Sequence, residues 1–423
     1  MTKKTTGGKM TGRFLVVVLD GFGIGAMEDV AEVRPQDTGA NTLASLFKVR
    51  PGLYLPNLER LGLMNAFGRE SANMCFSPSA AWGRCSLMHQ GADSFWGHQE
   101  IMGTRPPHPK EIPFASVADE VAGALRKAGH EVGFRGAGGA LHLLVVDGCV
   151  VVADNLEADP GQNYNVLGAL SAVAFERVLK IGRIVRDVVE VSRVICCGNP
   201  SVGMDRIVAS TEERDGYIGV SSPRSGLYGD GYRCVPMGSG VDPSGQAPFL
   251  LTERGVPVFL FGKVADIVEN YRGRSVPWID TDEVLCMTLG AFETLDRGFI
   301  CTNVQGTDLA GHREDAEDYV RQLEAADLWI GRIMERTTPD DVLLVMADHG
   351  NDPGAGHSRH TRERVPLLLY APLLHASRIE GIELGERRTL SDIGATVTAC
   401  FGAGRVENPE ARPLEALKRF WKR

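Results

Sequence analysis

The sequence predicts an α/β protein: a doubly wound, mostly parallel sheet with an α+β domain inserted into it. Three observations carry this. Short continuous apolar runs recur at both ends of the chain, Phe14 to Leu19 (FLVVVL) and Val342 to Ala347 among them. Such runs are strands buried on both faces, as in parallel sheets. Helical patterns alternate with them, which is the rhythm of βαβ units. The middle of the chain has a different texture, and residues of one chemical kind lie on either side of it.

Taken in order, Met1 to Gly12 (MTKKTTGGKMTG) is polar and Gly-rich and reads as a disordered tail. Phe14 to Leu19 is the first strand, ending in Asp20 and the tight GFGIG turn. Pro106-Pro107-His108-Pro109 breaks any regular element and marks an exit from the core. Beyond it lie a helical pattern at Val117 to Ala128 and strands at Leu141 to Val146 and Val150 to Ala153. A longer helix near Phe175 to Val189 and a strand at Arg193 to Cys197 follow, and Ser221 to Gly245 is dense in Gly, Ser and Pro. These elements define an inserted cap over 107–236 and leave a core that is discontinuous in sequence, 13–106 and 237–423. The core resumes with strands at Val256 to Phe261 (VPVFLF) and Phe299 to Gln305 (FICTNVQ). Tyr319, Leu323, Ala326, Ile330 and Ile333 then mark one face of a helix between Asp315 and Arg336. Strands Val342 to Ala347 and Val365 to Tyr370 (VPLLLY) come next, and Ser391 is placed as the N-cap of a helix through DIGATVTACF.

A chain of 423 residues with 43% hydrophobic content can bury a substantial core. A formal charge of −9 argues against nucleic acid or an anionic membrane surface as partner. No run approaches the length of a membrane span. Nine cysteines without a pairing pattern, and no secretory leader, point to reduced thiols in the cytoplasm. A small phosphorylated metabolite as partner would need locally placed metal or Lys/Arg to offset the repulsion.

The densest chemistry lies in Val345 to Glu363, VMADHGNDPGAGHSRHTRE. Asp348 and His349 emerge at the carboxyl end of a strand, where open α/β sheets bind their ligands. The Gly-, Asn- and Pro-rich loop behind them can return His357 or His360 to the same point. Asp20 ends the first strand, and Asp308 with His312 follows Phe299 to Gln305. One strand-end aspartate is ordinary turn or capping chemistry. Three such ends, two carrying histidine, point to a polynuclear site for ions of the manganese or zinc type. In GADSFWGHQE, just ahead of the insertion, Ser94 is the candidate nucleophile. A serine hydroxyl needs a nearby divalent ion to become one. His98 and Glu100 either fix that loop or support the reacting groups from behind, and for His98 the structural role weighs at least as much.

LDGFGIGA, GADSFWGHQEIMG, VFLFGKVADI, DLAGH and ADHGNDP…HTRE…VPLLLY, in this order along nearly the whole chain, resemble the phosphopentomutases of the alkaline phosphatase superfamily. The resemblance implies an alkaline-phosphatase-like core with a cap, and two manganese ions. It also implies a phosphorylated hydroxyl residue, primed by a bisphosphorylated sugar, that interconverts ribose 1- and 5-phosphates. It implies that Asp308, His312 and His360 hold one ion, and that Asp20, Asp348 and His349 hold the other beside Ser94. His357 becomes a spare. Lys263 is implied to face substrate, Asp154 to contact the sugar, and Arg224 is the candidate for gripping its phosphate.

The chain departs from the family in four places, one of them the Asp308-x-x-x-His312 spacing, which is closer to the phosphoglycerate mutase form. Serine stands where the family uses threonine, and Ala92 stands where it has a lysine. SSPRSGLYGDGYR replaces the arginine-bearing cap segment. A substrate other than a pentose phosphate is therefore open. So are a phosphatase or related esterase on the same site and a non-enzymatic metal- or metabolite-binding protein.

Overall fold

The computed structural model describes residues 10–108, 110–157, 161–238, 241–375 and 381–421. The chain forms two compact units, Met1–Pro106 with Asp242–Arg423, and Pro107–Val241. Met1 to Lys9 of the expected tail lie outside the described residues. Met10 to Gly12 do not behave as a tail. Met10 is buried, its N–H donates to Cys400 O, and Thr11 Oγ1 donates to Asp340. The second unit also runs past 236, because strand Arg233–Gly238 pairs antiparallel with Arg193–Asn199 and carries Met237 with it.

The first unit is built on an eight-stranded sheet. Strand Arg13–Leu19 lies at its middle with every residue buried. It pairs in parallel with Gly298–Val304 on one side and Val342–Met346 on the other. Val258–Phe261 and Arg274–Val276 continue the parallel part outward. On the other flank Val365–Tyr370 turns antiparallel, followed by Ala81–Cys85 and Ile382–Arg387. The sheet is thus mostly parallel, as the apolar runs predict. Leu19 lies opposite Val304 and Val18 opposite Met346, so the three central strands end level. Whatever follows them is set side by side at the strand spacing of about 4.8 Å.

The other ends of two of these strands are pinned by charge. Arg13 donates from its backbone N and Nε to Asp341 Oδ1 at 2.8 and 2.9 Å, and its Nη2 lies 2.5 Å from Oδ2. Thr338 adds two further donors to the same carboxylate. Burial opposes ionisation of Asp341, but these bonds outweigh it and hold its carboxyl below the ordinary value. Asp341→Ala should cost about 3–5 kcal/mol, since it leaves a buried guanidinium unpaired. Because the folded-state pKa is depressed, the pair's contribution is present above about pH 4 and is lost as pH falls through the folded value. Denaturant melts of both proteins at pH 7 and under acid check this: the difference should shrink on acidification.

In the second unit six strands run in the order Arg233–Gly238, Arg193–Asn199, Asn163–Ala169, Val150–Asp154, Leu143–Val146, Val132–Arg135. Both faces of this sheet are covered, and the strand Val150–Asp154 shows how. Val150 and Val152 pack with helices Phe114–Lys127 and Phe175–Val188, whereas Val151 and Ala153 pack with Ile207, Ile218 and Leu227. Alternate residues serve opposite cores, so the run reads as continuously apolar. No described helix is long and apolar enough to cross a membrane.

Candidate metal centre

The level ends of the central strands deliver the acidic residues. Asp20 follows Leu19, and Asp348 and His349 follow Ala347. Gly298–Val304 leads through Gln305 into helix Gly306–His312, where Asp308 and His312 are four residues apart and share a face. A bridge between Gly350 and Thr361 closes the loop after His349 and brings His360 back. The His349 and His360 rings stack with centroids 3.9 Å apart.

Two groups of donor atoms result, Asp308 with His349 and His360, and Asp20 with Asp348 and His349; within each, the atoms lie within 4.8 Å of one another. His349 belongs to both, its Nε2 being 3.3 Å from Asp20 Oδ1 and 3.2 Å from Asp348 Oδ2. His360 Nε2 lies 3.2 Å from Asp308 Oδ1, and His312 Nε2 lies 3.5 Å from Asp308 Oδ2. All six residues expected as ligands are therefore together. His357 is elsewhere, with its Nε2 3.2 Å from Asp37.

The three imidazoles share one arrangement. Each Nδ1 faces a backbone carbonyl: His312 that of Ser358 at 2.7 Å, His349 that of Gly350 at 2.9 Å, and His360 that of Ala92 at 2.8 Å. A carbonyl only accepts, so Nδ1 carries a proton and each Nε2 is the ring nitrogen directed into the site, the arrangement that metal-bound histidines need. His312 Nε2 and His360 Nε2 then face each other at 3.1 Å. Two ring nitrogens at that distance repel unless a proton or a metal ion lies between them. Asp20 Oδ1 and His349 Nε2 are also buried without a hydrogen-bond partner among the described residues. Carboxylates and imidazoles in this mixture fit divalent ions.

The electrostatics agree. Burial, then the charge of Asp348, raises the Asp20 carboxyl. Burial opposes a charged His349, yet the Asp348 charge overrides it and raises the imidazole pKa well above its ordinary value. A field that holds a proton there also favours a metal cation. Burial and the neighbouring His349 lower His360 to about 3, leaving it neutral.

Ser94 opens the buried helix Ser94–Ile101, capped by Asp93, which accepts from Trp96 N. Its Oγ donates to Asp348 Oδ2 at 2.8 Å. His98, one turn on, faces Ser94 O with Nδ1 at 2.9 Å, and the same atom is 3.1 Å from Asp348 Oδ2. Glu100 accepts from Met88 N, His89 N and Leu390 N, so it holds the loop rather than the reacting groups.

The three expected substrate residues are placed differently. Lys263 Nζ points into the acidic cluster, 3.0 Å from Asp20 Oδ2 and 2.9 Å from Asp308 Oδ2, because that is where its charge is best compensated. Asp154 is fully buried, and its two oxygens accept from Phe114 N and Ile218 N. It ties segments of the second unit together and offers no free oxygen to a sugar. Arg224 is exposed and paired with Glu212. The sequence reading missed Asn303, whose Nδ2 is 2.9 Å from both Asp20 Oδ2 and His98 Nε2. It also missed Asn351, which donates to Asp308 Oδ1 at 2.8 Å. A polar residue inside the apolar run FICTNVQ was the available signal for the first.

Residues 251–404 match the model of the Metalloenzyme superfamily. Phosphopentomutase of Symbiobacterium thermophilum is 32% identical over 412 residues, covering 92% of this chain and 95% of its own. The chain belongs to the phosphopentomutase family. It is accordingly a phosphomutase-type enzyme of the Metalloenzyme superfamily, and divalent metal ions belong with it. Phosphopentomutase of Kosmotoga olearia is 30% identical over 418 residues, covering 96% of this chain and all of its own. Among solved structures, phosphoglycerate mutase of Leishmania mexicana aligns over 98% of each chain at 12% identity and TM-score 0.46, too distant to bear on the site.

Proposed function

We propose that this phosphopentomutase-family enzyme moves a phosphoryl group between the 1- and 5-positions of a pentose phosphate, with Ser94 carrying the group between the two. The placement of the Ser94 hydroxyl carries this reading. Thr307 also lies beside the cluster, but its Oγ1 is committed to Asp20 O at 2.6 Å and Val304 O at 3.0 Å. Ser94 Oγ is directed at Asp348, in the middle of the donor set.

The cycle starts from phosphoserine. In the first half-reaction the free hydroxyl of the sugar phosphate attacks that phosphorus, the phosphorus–oxygen bond to Ser94 Oγ breaks, and the hydroxyl proton ends on Ser94. In the second half Ser94 Oγ forms a bond to the other phosphorus of the bisphosphate as its bond to the sugar oxygen breaks, and the serine proton ends on that oxygen. Asp308, His312 and His360 would hold one divalent ion, and Asp20, Asp348 and His349 the other. Such ions neutralise phosphate charge and acidify the serine hydroxyl. Manganese suits this carboxylate–imidazole mixture. A bisphosphorylated sugar would prime Ser94. The nine cysteines, none of them in a disulfide among the described residues, agree with a cytoplasmic setting.

Two measurements test the reading. Stripping the protein with a chelator should lower its thermal midpoint, and manganese should restore it. At a hundredfold excess over Kd each site adds about 2.7 kcal/mol. A panel of sugar phosphates should then show ribose 1-phosphate converted to ribose 5-phosphate without free phosphate. Phosphate as the main product, or inert ribose phosphates, would sink the proposal.

A further inference from the structure

The loop from Ser86 to Asp93 joins strand Ala81–Cys85 to the helix that begins at Ser94, and it has no regular structure of its own. Its carbonyls must find donors elsewhere, and four of them find donors in one short segment, His360 to Arg362. His360 Nδ1 takes Ala92 O at 2.8 Å. Arg362 Nη1 donates to His89 O and Gly91 O, both at 2.7 Å, and Nη2 donates to Leu87 O at 3.2 Å. The remaining donors form a two-pronged pair with Asp29, Nε to Oδ1 and Nη2 to Oδ2, both at 2.8 Å. All five guanidinium N–H groups are thereby used, which a planar fork can do and an ammonium cannot.

The arginine is itself held. It is buried, and its backbone N donates to Asp37 Oδ2 at 2.8 Å. Arg34 bonds the same oxygen at 2.6 Å and also donates to His360 O at 2.8 Å. One rigid segment therefore carries both an imidazole of the acidic cluster and the comb that fixes the carbonyls ahead of Ser94.

We infer that Arg362 is a positioning residue for phosphoryl transfer: it sets the distance and direction of Ser94 Oγ relative to the metal-type cluster. This rests on the reading of Ser94 as the phosphoryl carrier. The inference differs from a purely structural role in what it touches. It predicts a loss in the rate of Ser94 phosphorylation with little change in substrate affinity or metal content, because displacing a reacting atom by about 1 Å costs on the order of a hundredfold in rate.

The experiment is single-turnover priming of the full-length, manganese-loaded protein with ribose 1,5-bisphosphate, with phosphate on Ser94 followed by mass spectrometry. Arg362→Ala should slow priming on the order of a hundredfold. Bisphosphate affinity and manganese stoichiometry should stay at the wild-type level. Arg362→Lys should be nearly as slow, because it restores charge without the fork, whereas methylguanidinium added to Arg362→Ala should recover part of the rate. Asp29→Asn keeps Arg362 and loosens one prong. It should give an intermediate rate, and it stands in for Arg362→Ala if that variant does not fold. Wild-type rates in Arg362→Lys or in Asp29→Asn, or a loss confined to KM, would overturn the inference. Wild-type protein that takes phosphate on another residue would overturn the reading of Ser94 itself, a separate and recognisable failure.

Discussion

Asp348→Ala is expected to reduce turnover at least on the order of a thousandfold and to leave purified protein short of its metal. The Asp348 side chain ties the candidate nucleophile to the cluster. Its Oδ2 lies 2.8 Å from Ser94 Oγ, 3.1 Å from His98 Nδ1 and 3.2 Å from His349 Nε2, and its Oδ1 accepts from Gly21 N at 3.2 Å. Burial opposes its ionisation, yet the fields of His349 and His98 hold its pKa well below the ordinary carboxylate value. It is therefore a permanent negative charge at the centre of the site. Asp348→Asn keeps the shape and one oxygen for Gly21 N, with its NH2 then turned to Ser94 Oγ as a donor, which separates loss of charge from loss of shape. Both variants should fail to gain thermal stability from manganese. Full activity in either, or wild-type metal content by elemental analysis, would mean that the cluster is not the catalytic metal centre.

Much of this centre was legible in the sequence because parallel-sheet physics makes it so. A strand buried on both faces must be apolar throughout, so FLVVVL, FICTNVQ and the run from Val342 announce themselves, and their polar successors fall at strand ends. What was not legible depends on direction and distance. Strand Ala81–Cys85 has five residues, Trp82 and Gly83 among them, and no apolar alternation. It exists because Val365–Tyr370 and Ile382–Arg387 pair with it on either side. The chain names Lys263, Asp154 and Arg224 but not where they point. Lys263 turned toward the carboxylates, Asp154 toward two backbone amides, and Arg224 toward Glu212. Arg362 was invisible for the same reason, since its partners lie in a loop more than 250 positions earlier in the chain.

Ser94→Ala should give the larger effect, on the order of 10⁵ to 10⁶ in turnover, as removal of a nucleophile does elsewhere. The fold should be untouched, because among the described residues the Ser94 hydroxyl gives one hydrogen bond, to Asp348, and the helix cap is the separate contact in which Asp93 accepts from Trp96 N. Metal content should also persist, since three carboxylates and three imidazoles remain. This combination of lost turnover with intact fold and metal distinguishes a nucleophile from a ligand, and it is the opposite of what Asp348→Ala should show. Ser94→Thr is the informative partner. Threonine keeps the hydroxyl but adds a methyl group at a position that is 1% exposed, at the first residue of a helix. Helical threonine splits between two χ1 rotamers, one of which would leave the hydroxyl toward Asp348. Retained activity in Ser94→Thr, with phosphate found on the threonine after priming by a sugar bisphosphate, would show that the hydroxyl and its direction are what the site requires. Phosphate on any other residue, or a Ser94→Ala protein that still isomerises ribose phosphates at the wild-type rate, would remove Ser94 from the reaction.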